Sequence, residues 1–191
     1  MTLYLASASP RRKALLEQVG IKPRVLPSRV PESRQRGEKP QAMVLRLAQA
    51  KAAEVAVRLA AKGERRGWVL AADTTVAVGA KVLEKPNGPK GAVAMLRALS
   101  GKAHFVYTGV CLLNLTSGEA HSFVEATKVF FRRLSAEEVA AYVATGEPLD
   151  KAGAYGIQGA AAAFVRRIEG DYYNVVGLPL AAVVELLKAE D

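Results

Sequence analysis

The sequence predicts a mixed α/β fold with α+β character, in which helices flank a mixed β-sheet. Three observations predict this fold. Helical and strand patterns alternate along the 191 residues, hairpin patterns also occur, and the chain has neither an internal repeat nor a low-complexity linker. We therefore expect a single domain over residues 1–191.

Caps, turns and apolar patterning define the elements of the N-terminal half. Ser9 is a good N-cap for a first helix, Pro10 suits its first position, and Gly20 ends it. A buried-type strand at 68–72 brings Asp73 to its C-terminal end. The other expected elements are strands at 3–6 and 23–27, a charged loop at 29–40, a helix at 41–62, and a hairpin of 74–78 and 81–83 around Gly79 and Ala80.

A capping box marks one helix of the C-terminal half. Ser135 opens this helix with Glu138 three residues later, and Gly146 ends it. The other expected elements are a helix at 91–99, long strands at 104–115 and 121–131, a glycine-rich loop at 147–159, a strand at 162–168, and a C-terminal helix at 178–188 with Pro179 in its first turn.

The composition excludes several classes of protein. With 50% hydrophobic and 24% charged residues, the chain is typical of a soluble globular protein and not of a disordered or fibrous one. Cys111 is the only cysteine, so neither an internal disulfide nor a cysteine-based zinc site can form. Apolar stretches are far shorter than the ~20 residues of a membrane-spanning helix, and no signal-type apolar core occurs at the N-terminus. We therefore expect a cytoplasmic protein.

The positive charge is concentrated in the first third of the chain. The net charge is +9, and residues 1–70 hold 15 Lys and Arg against five Asp and Glu. Such a surplus favours an anionic partner, either phosphates, nucleic acid or a lipid surface. A solvated basic face is the alternative, and the composition leaves both open.

The first helix begins with charges that oppose its own dipole. Arg11 and Arg12 lie in its first turn, where each cation costs roughly 0.3–1 kcal/mol. An anion at this end would reverse the cost, because free N–H groups, the hydroxyls of Ser7 and Ser9 and two guanidinium groups would surround it. Two exposed arginines on a surface helix are the alternative.

Two further charged residues break the apolar pattern. Lys51 lies within the apolar stripe of the 41–62 helix, so it either extends to the rim or points into a cleft toward an acid or phosphate. Asp73 follows a hydrophobic strand, at the edge of the sheet where α/β proteins bind ligands. With a nearby lysine such as Lys85, it could form a structural ion pair, hold a divalent metal or activate water.

Other motifs are less informative or exclude a mechanism. Gln158 carries both a donor and acceptors, and Tyr172 and Tyr173 are more typical of packing than of a base platform. The sequence has no Walker-type phosphate loop and no HExxH motif. Neither His104 nor His121 lies near a recognisable nucleophile, which excludes a Ser-His-Asp hydrolase.

Motifs along nearly the whole chain together resemble one family. They are 5–12 (LASASPRR), 47–52 (LAQAKA), 72–74 (ADT), Lys85-Pro86, 99–101 (LSG), 146–153 (GEPLDKAG), 155–159 (YGIQG) and 174–180 (NVVGLPL). In order and in combined length, they resemble the Maf family of nucleoside triphosphate pyrophosphatases.

The resemblance implies a fold, a reaction and partners. The fold would be inosine-triphosphatase-like, with an elongated mixed sheet and two lobes around a central cleft. The reaction would be hydrolysis between the α- and β-phosphates to a nucleoside monophosphate and pyrophosphate, with Mg²⁺ or Mn²⁺ as cofactor. A cytoplasmic homodimer is also implied. Asp73-Thr74, Gln158 and the 172–176 stretch resemble the branch that acts on dTTP and UTP.

The resemblance also implies roles for individual residues. Asp73 resembles the carboxylate that activates water or binds metal, and Glu32 resembles the second acid at the metal. The remaining roles are phosphate neutralisation by Lys51 and Lys85, triphosphate binding by Ser7, Ser9, Arg11 and Arg12, and base recognition by Thr74 and Gln158. The family commonly has Gly before the Lys-Pro pair, where this chain has Glu84.

Two alternative functions are retained. A nucleic-acid-binding or septum-formation regulator would use the basic first third, although the chain lacks a basic recognition helix and an arginine-rich tail. A pyrophosphatase for 7-methyl-GTP is the alternative within the family. If the protein is a pyrophosphatase, we expect it to bind neither a membrane nor a specific nucleic acid.

Overall fold

The computed structural model describes residues 2–79 and 81–190. In this part of the chain, the strands are β1 (Leu3–Leu5), β2 (Arg24–Val25), β3 (Trp68–Val78), β4 (Lys81–Leu83), β5 (Ala103–Asn114), β6 (Ala120–Phe131) and β7 (Val165–Glu169). The α-helices are α1 (Pro10–Gln18), α2 (Pro40–Ala60), α3 (Gly88–Leu99), α4 (Ala136–Ala144), α5 (Tyr172–Val176) and α6 (Leu180–Ala189). None of these helices is both long and apolar enough to cross a bilayer.

The strands form one mixed sheet, which confirms the predicted fold class. Its order is β2-β1-β3-β5-β6-β7, and β4 pairs with β3. β1 is parallel to both β2 and β3, whereas β3–β4 and β6–β7 are antiparallel pairs. Helices and hairpins in one chain thus produce the mixture that the sequence predicts.

β3 corrects one expected boundary. It continues through Asp73 to Val78, so Asp73 lies inside a strand and not at the end of one. β3 first pairs with β1, up to Leu5 opposite Leu70, and then with β4, from Val76 opposite Leu83. The sequence does not reveal where the pairing partner changes, because β3 is a nearly continuous run of buried residues. Asp73 still lies just past the end of β1, and Ala80 of the expected turn lies outside the described residues.

Other expected boundaries also shift. The glycine-rich segment forms three short 3₁₀-helices, Glu147–Asp150, Ala152–Ala154 and Ala160–Phe164, so β7 begins later than expected. α5 was not expected, and Pro179 is the N-cap of α6 and not a residue of its first turn. Alanine and glycine runs carry no clear period, which explains these differences.

The described residues divide into two compact units. The first unit contains the chain up to Asp73, Thr108–Glu125 and the chain from Gly177. Its core joins α2 to the strands through Tyr4, Ala6, Ala48, Ala52, Val55, Leu59, Val69, Ala71 and Cys111. Gly109 of β5 meets the backbone of Val44 of α2, where no β-carbon would fit. This close approach places Lys51, on the same helix, against the sheet.

The second unit contains Thr74–Tyr107 and Ala126–Val176. Its core includes edge-to-face contacts among His104, Phe131, Tyr142, Tyr155 and Phe164. The capping box that begins α4 has both of its predicted hydrogen bonds. The expectation of one domain over the whole chain stays a prediction.

Candidate active site

The start of α1 forms a small network of serine hydroxyls. Ser9 is the N-cap, as expected, and its Oγ accepts a hydrogen bond from the Arg12 backbone N–H at 3.5 Å. Ser7 is buried, and its Oγ accepts from the Ser9 N–H at 3.2 Å and from Arg12 Nη1 at 3.1 Å. The two hydroxyls therefore lie together at the positive end of the helix dipole.

Arg12 is buried beneath this helix end. Its Nε donates to the carbonyl oxygen of Gly177 at 2.8 Å. Burial lowers the pKa of Arg12, and the charges of Asp73 and Glu32 act in the opposite direction. Arg12 thus lies within electrostatic reach of both acids, which offset the unfavourable dipole at its position. Arg11 is only partly buried.

Lys51 joins the two acids. Its Nζ donates to Asp73 Oδ1 at 2.6 Å and to Glu32 Oε1 at 2.5 Å. The exposed fraction of the side chain is 7% for Lys51 and 9% for Asp73, whereas that of Glu32 is 49%. The sequence allowed the Lys51 side chain either to extend to the rim or to point into a cleft. It takes the buried orientation, toward the two acids.

This arrangement indicates function more than stability. Burial of charged groups costs desolvation that an ion pair recovers only in part, so a hydrophobic cluster would stabilise the same space at least as well. The arrangement has two carboxylates and two cations, Lys51 and Arg12. We define Arg12, Glu32, Lys51 and Asp73 as the charged cluster.

The Glu32 loop is fixed by a side chain of α2. Arg46 donates to the Glu38 carboxylate from Nε at 2.6 Å and from Nη2 at 2.8 Å, and Nη2 also donates to the Ser33 carbonyl oxygen at 3.1 Å. These hydrogen bonds lower the pKa of Glu38 to about 2. The sequence carries no signal for this contact, because Arg46 and Glu38 look like ordinary surface charges.

The donor set of the charged cluster fits a hard divalent cation. No group of three or more Asp, Glu, His or Cys that could hold a metal occurs within residues 2–79 and 81–190. Mg²⁺ does not need such a group, because it is usually bound by one or two carboxylates, waters and substrate phosphates. Asp73 and Glu32 converge on one ammonium group, so they are close enough to serve as such a pair.

The predicted site residues divide between the two units. Ser7, Ser9, Arg11, Arg12, Glu32, Lys51 and Asp73 lie in the first unit. In the second unit, Thr74 is partly buried in β3, Lys85 is exposed after β4, and Gln158 is exposed between two 3₁₀-helices. The charged cluster itself therefore belongs to one unit.

The roles of two residues could not be predicted from local sequence patterns. Glu32 stands in a polar, charged loop, where pattern alone indicates a solvated side chain, and only the family motif singled it out. Gly177 belongs to the 174–180 motif, but nothing in the sequence reveals that its carbonyl group holds Arg12.

Comparisons with known proteins give a consistent result. The family model of Maf-like proteins matches residues 2–190. A dTTP/UTP pyrophosphatase of Chelativorans sp. is 49% identical over 98% of this chain and 90% of its own. That of Moorella thermoacetica is 51% identical over 97% of this chain and 93% of its own.

A solved structure also matches. It is a nucleoside-triphosphatase / dITP/XTP pyrophosphatase from Mycobacterium abscessus, 14% identical, with a TM-score of 0.41 over 71% of this chain and 75% of that chain.

Proposed function

The chain belongs to the Maf family, and from this premise we propose that it is a nucleoside triphosphate pyrophosphatase that acts on dTTP and UTP. The charged cluster is the observation that carries the proposal. It combines a buried carboxylate with two cations next to a helix N-terminus. Hydrolysis of a triphosphate requires such a set, because the carboxylate activates water and the cations stabilise the charge on the phosphate oxygens. The names of the relatives support the choice of nucleotides.

The start of α1 is the proposed binding site for the triphosphate. The helix dipole favours phosphate there, and the hydroxyls of Ser7 and Ser9, which accept hydrogen bonds from Arg12 and from the Ser9 N–H, each have an O–H group to donate. Arg11 and Arg12 supply positive charge. The basic surplus of the first third thus includes cations directed at one small anion.

Asp73 is the proposed general base. It takes a proton from water as the water oxygen bonds to the α-phosphorus. The bond from that phosphorus to the α–β bridging oxygen then breaks, and pyrophosphate leaves. Lys51 has three N–H donors, of which the carboxylates take two, so a phosphate oxygen can accept the third. Lys85 is proposed as a second cation for the developing charge.

Mg²⁺ or Mn²⁺ is the proposed cofactor. Asp73 and Glu32 would hold it, and the two acids could exchange or share the roles of base and ligand. When bound, such an ion neutralises phosphate charge and polarises phosphoryl oxygens.

Thr74 and Gln158 are the proposed contacts to the base.

A homodimer in the cytoplasm remains part of the proposal, on the family resemblance alone. Light scattering of the purified protein measures the oligomeric state, and a monomer at all concentrations would refute the dimer.

A substrate panel tests the activity. The protein is incubated with Mg²⁺ and dTTP, UTP, CTP, modified pyrimidine triphosphates or 7-methyl-GTP, and released pyrophosphate is measured. We expect the highest kcat/KM with dTTP and UTP. Highest activity with 7-methyl-GTP would move the protein to the other branch. No release from any nucleotide, with tight and salt-sensitive DNA binding, would support the nucleic-acid alternative.

A further inference from the structure

Gln158 lies in a loop that two side chains close from both sides. The Gly156 N–H donates to Tyr142 Oη at 3.1 Å, and the Ala160 N–H donates to Glu147 Oε2 at 3.2 Å. Tyr142 Oη in turn donates to Glu147 Oε1 at 2.9 Å. One phenol–carboxylate pair therefore holds the backbone before and after 157–159. We call Tyr142 and Glu147 the loop clamp.

Small residues make room for the loop clamp. A β-carbon on Gly159 would collide with the carboxylate of Glu147, and one on Gly156 would lie 2.8 Å from Lys151 Cε. Ile157 is 7% exposed, whereas its neighbour Gln158 is exposed. The loop thus has one anchored side chain and one that is presented outward.

The surrounding backbone is rigidly determined. Lys151 Nζ donates to the Glu147 carbonyl oxygen at 2.6 Å and to Asp150 Oδ1 at 2.7 Å. Ala154 has φ +58°, the one positive φ of a non-glycine residue in the described part of the chain. Such a conformation costs about 1–3 kcal/mol and persists only where the neighbouring structure imposes it.

The phenol of the loop clamp keeps its proton. Burial and the neighbouring Glu147 raise the pKa of Tyr142. Tyr142 therefore donates to Glu147 and accepts from Gly156 throughout the physiological pH range. The Tyr142 hydroxyl is therefore a fixed donor and acceptor within the loop clamp.

We propose that Tyr142 and Glu147 are positioning residues that set the nucleotide preference by holding Gln158 at the edge of the base. The inference rests on the proposed function, in which Gln158 contacts the base. A carboxamide offers one donor and one acceptor group, which complement the N3–H and C4 carbonyl shared by uracil and thymine. A fixed loop is needed to present both groups at the correct distance.

Tyr142→Phe and Glu147→Gln test the loop clamp. The first removes the acceptor for Gly156, and the second replaces one carboxylate oxygen by a donor. Each should lower kcat/KM for UTP about tenfold, as expected when one or two hydrogen bonds are lost, and mainly through KM. The Kd of UMP should rise in parallel, whereas the Kd of pyrophosphate should stay unchanged.

Glu138→Gln is the matched control. Glu138 lies on α4 one turn before Tyr142, and it accepts hydrogen bonds from Arg132 and from the Ser135 N–H. This change should leave both Kd values as in the wild type. If Tyr142→Phe and Glu147→Gln bind UMP no more weakly than Glu138→Gln does, the inference is wrong.

A double-mutant cycle with Gln158→Ala separates positioning from general damage. If the loop clamp acts through Gln158, Tyr142→Phe should cause no further loss of UMP binding in the Gln158→Ala background. An equal loss in both backgrounds would overturn the inference. Glu147→Gln gives the same cycle if Tyr142→Phe does not fold.

An error in the proposed function can be distinguished from an error in the loop-clamp inference. If the proposed function is wrong, the wild-type protein releases no pyrophosphate. Hydrogen exchange at the Gly156 and Ala160 amides tests the loop clamp independently of activity. We expect faster exchange in Tyr142→Phe than in the wild type, and unchanged exchange would refute the loop clamp.

Discussion

At the scale of single residues, Lys51 determines the state of the charged cluster. It is a buried cation on an otherwise apolar face of α2, and it contacts both acids. A buried carboxylate that loses its cation is left uncompensated, which costs far more than an exposed one would. Lys51 therefore holds the Asp73 carboxylate in place before any phosphate binds.

Lys51→Met should lower the free energy of unfolding by about 3 kcal/mol at pH 7, near the lower end for a broken buried pair because the charge of Arg12 also acts on Asp73. The double variant Lys51→Met/Asp73→Asn should recover most of this loss, since the uncompensated charge is gone. Both variants should lack pyrophosphatase activity. Urea unfolding and pyrophosphate release measure the two effects.

Asp73→Asn alone is the corresponding control, which should stay folded and lose turnover. If the double variant is no more stable than Lys51→Met, or if Asp73→Asn keeps a near-normal rate, the role assigned to this pair is wrong.

At the scale of elements, two helices with similar caps have different tasks. Ser9 and Ser135 both accept a hydrogen bond from the third residue of their helix, at 3.5 and 3.2 Å. Of the two, only Ser135 has a backbone N–H that donates back to a glutamate carboxylate, and only Ser9 lies beside Ser7 and Arg12. The cap of α4 therefore serves stability, whereas the cap of α1 combines stability with a place for phosphate.

Replacement of each serine by alanine should separate these tasks. Ser135→Ala should lower the free energy of unfolding by about 1 kcal/mol and leave KM unchanged. Ser9→Ala should cost less stability, because its hydrogen bond is longer, and should raise KM for the nucleotide several-fold. Thermal unfolding and steady-state kinetics of both variants test this. Equal effects on KM would contradict a phosphate site at α1.

The loop that carries Glu32 depends on Arg46. Arg46→Lys keeps the charge but loses the two-pronged contact with Glu38 and the bond to Ser33. We expect a clear rise in KM for the Mg²⁺–nucleotide complex with a small change in melting temperature. Arg132→Lys is the matched control, since Arg132 holds Glu138 in the same two-pronged way. A rise in KM of the same size in both variants would rule out a specific role of Arg46.

At the scale of the whole molecule, His104 links stability to pH. It is 1% exposed, and its Nε2 lies 2.8 Å from the Tyr155 hydroxyl. Burial lowers the pKa of His104 to about 4, from an ordinary value of 6.5. Between these values the unfolded chain binds the proton and the folded chain does not, so stability falls as the pH is lowered.

The free energy of unfolding should therefore decrease between pH 6.5 and 4, by about 3 kcal/mol from His104. His104→Gln, which keeps a hydrogen-bonding group for Tyr155, should have a flatter profile over this range. Urea unfolding at a series of pH values measures the slope. A slope that is the same in both proteins would show that His104 is not the group responsible.

The sequence by itself determined the mixed α/β class, the family and most members of the charged cluster. Those features depend on local signals: the cap at Ser9, the apolar stripe that contains Lys51, the buried strand before Asp73, and ordered motifs along the chain. Comparison with known proteins confirms the recognised family, and relatives that are 49% and 51% identical to the chain are named dTTP/UTP pyrophosphatases. The boundaries within the glycine- and alanine-rich segment were wrong, because that segment has no periodic pattern.

Only the tertiary structure decided how these residues are used. It directed Lys51 at two acids that are 19 and 22 positions away in the chain, fixed the Glu32 loop through Arg46, and held Arg12 by a glycine carbonyl 165 positions away. It also closed the Gln158 loop with Tyr142 and Glu147. A local pattern reports which face of an element is buried. It does not report which distant polar group completes a hydrogen bond there, because chain folding brings that partner near.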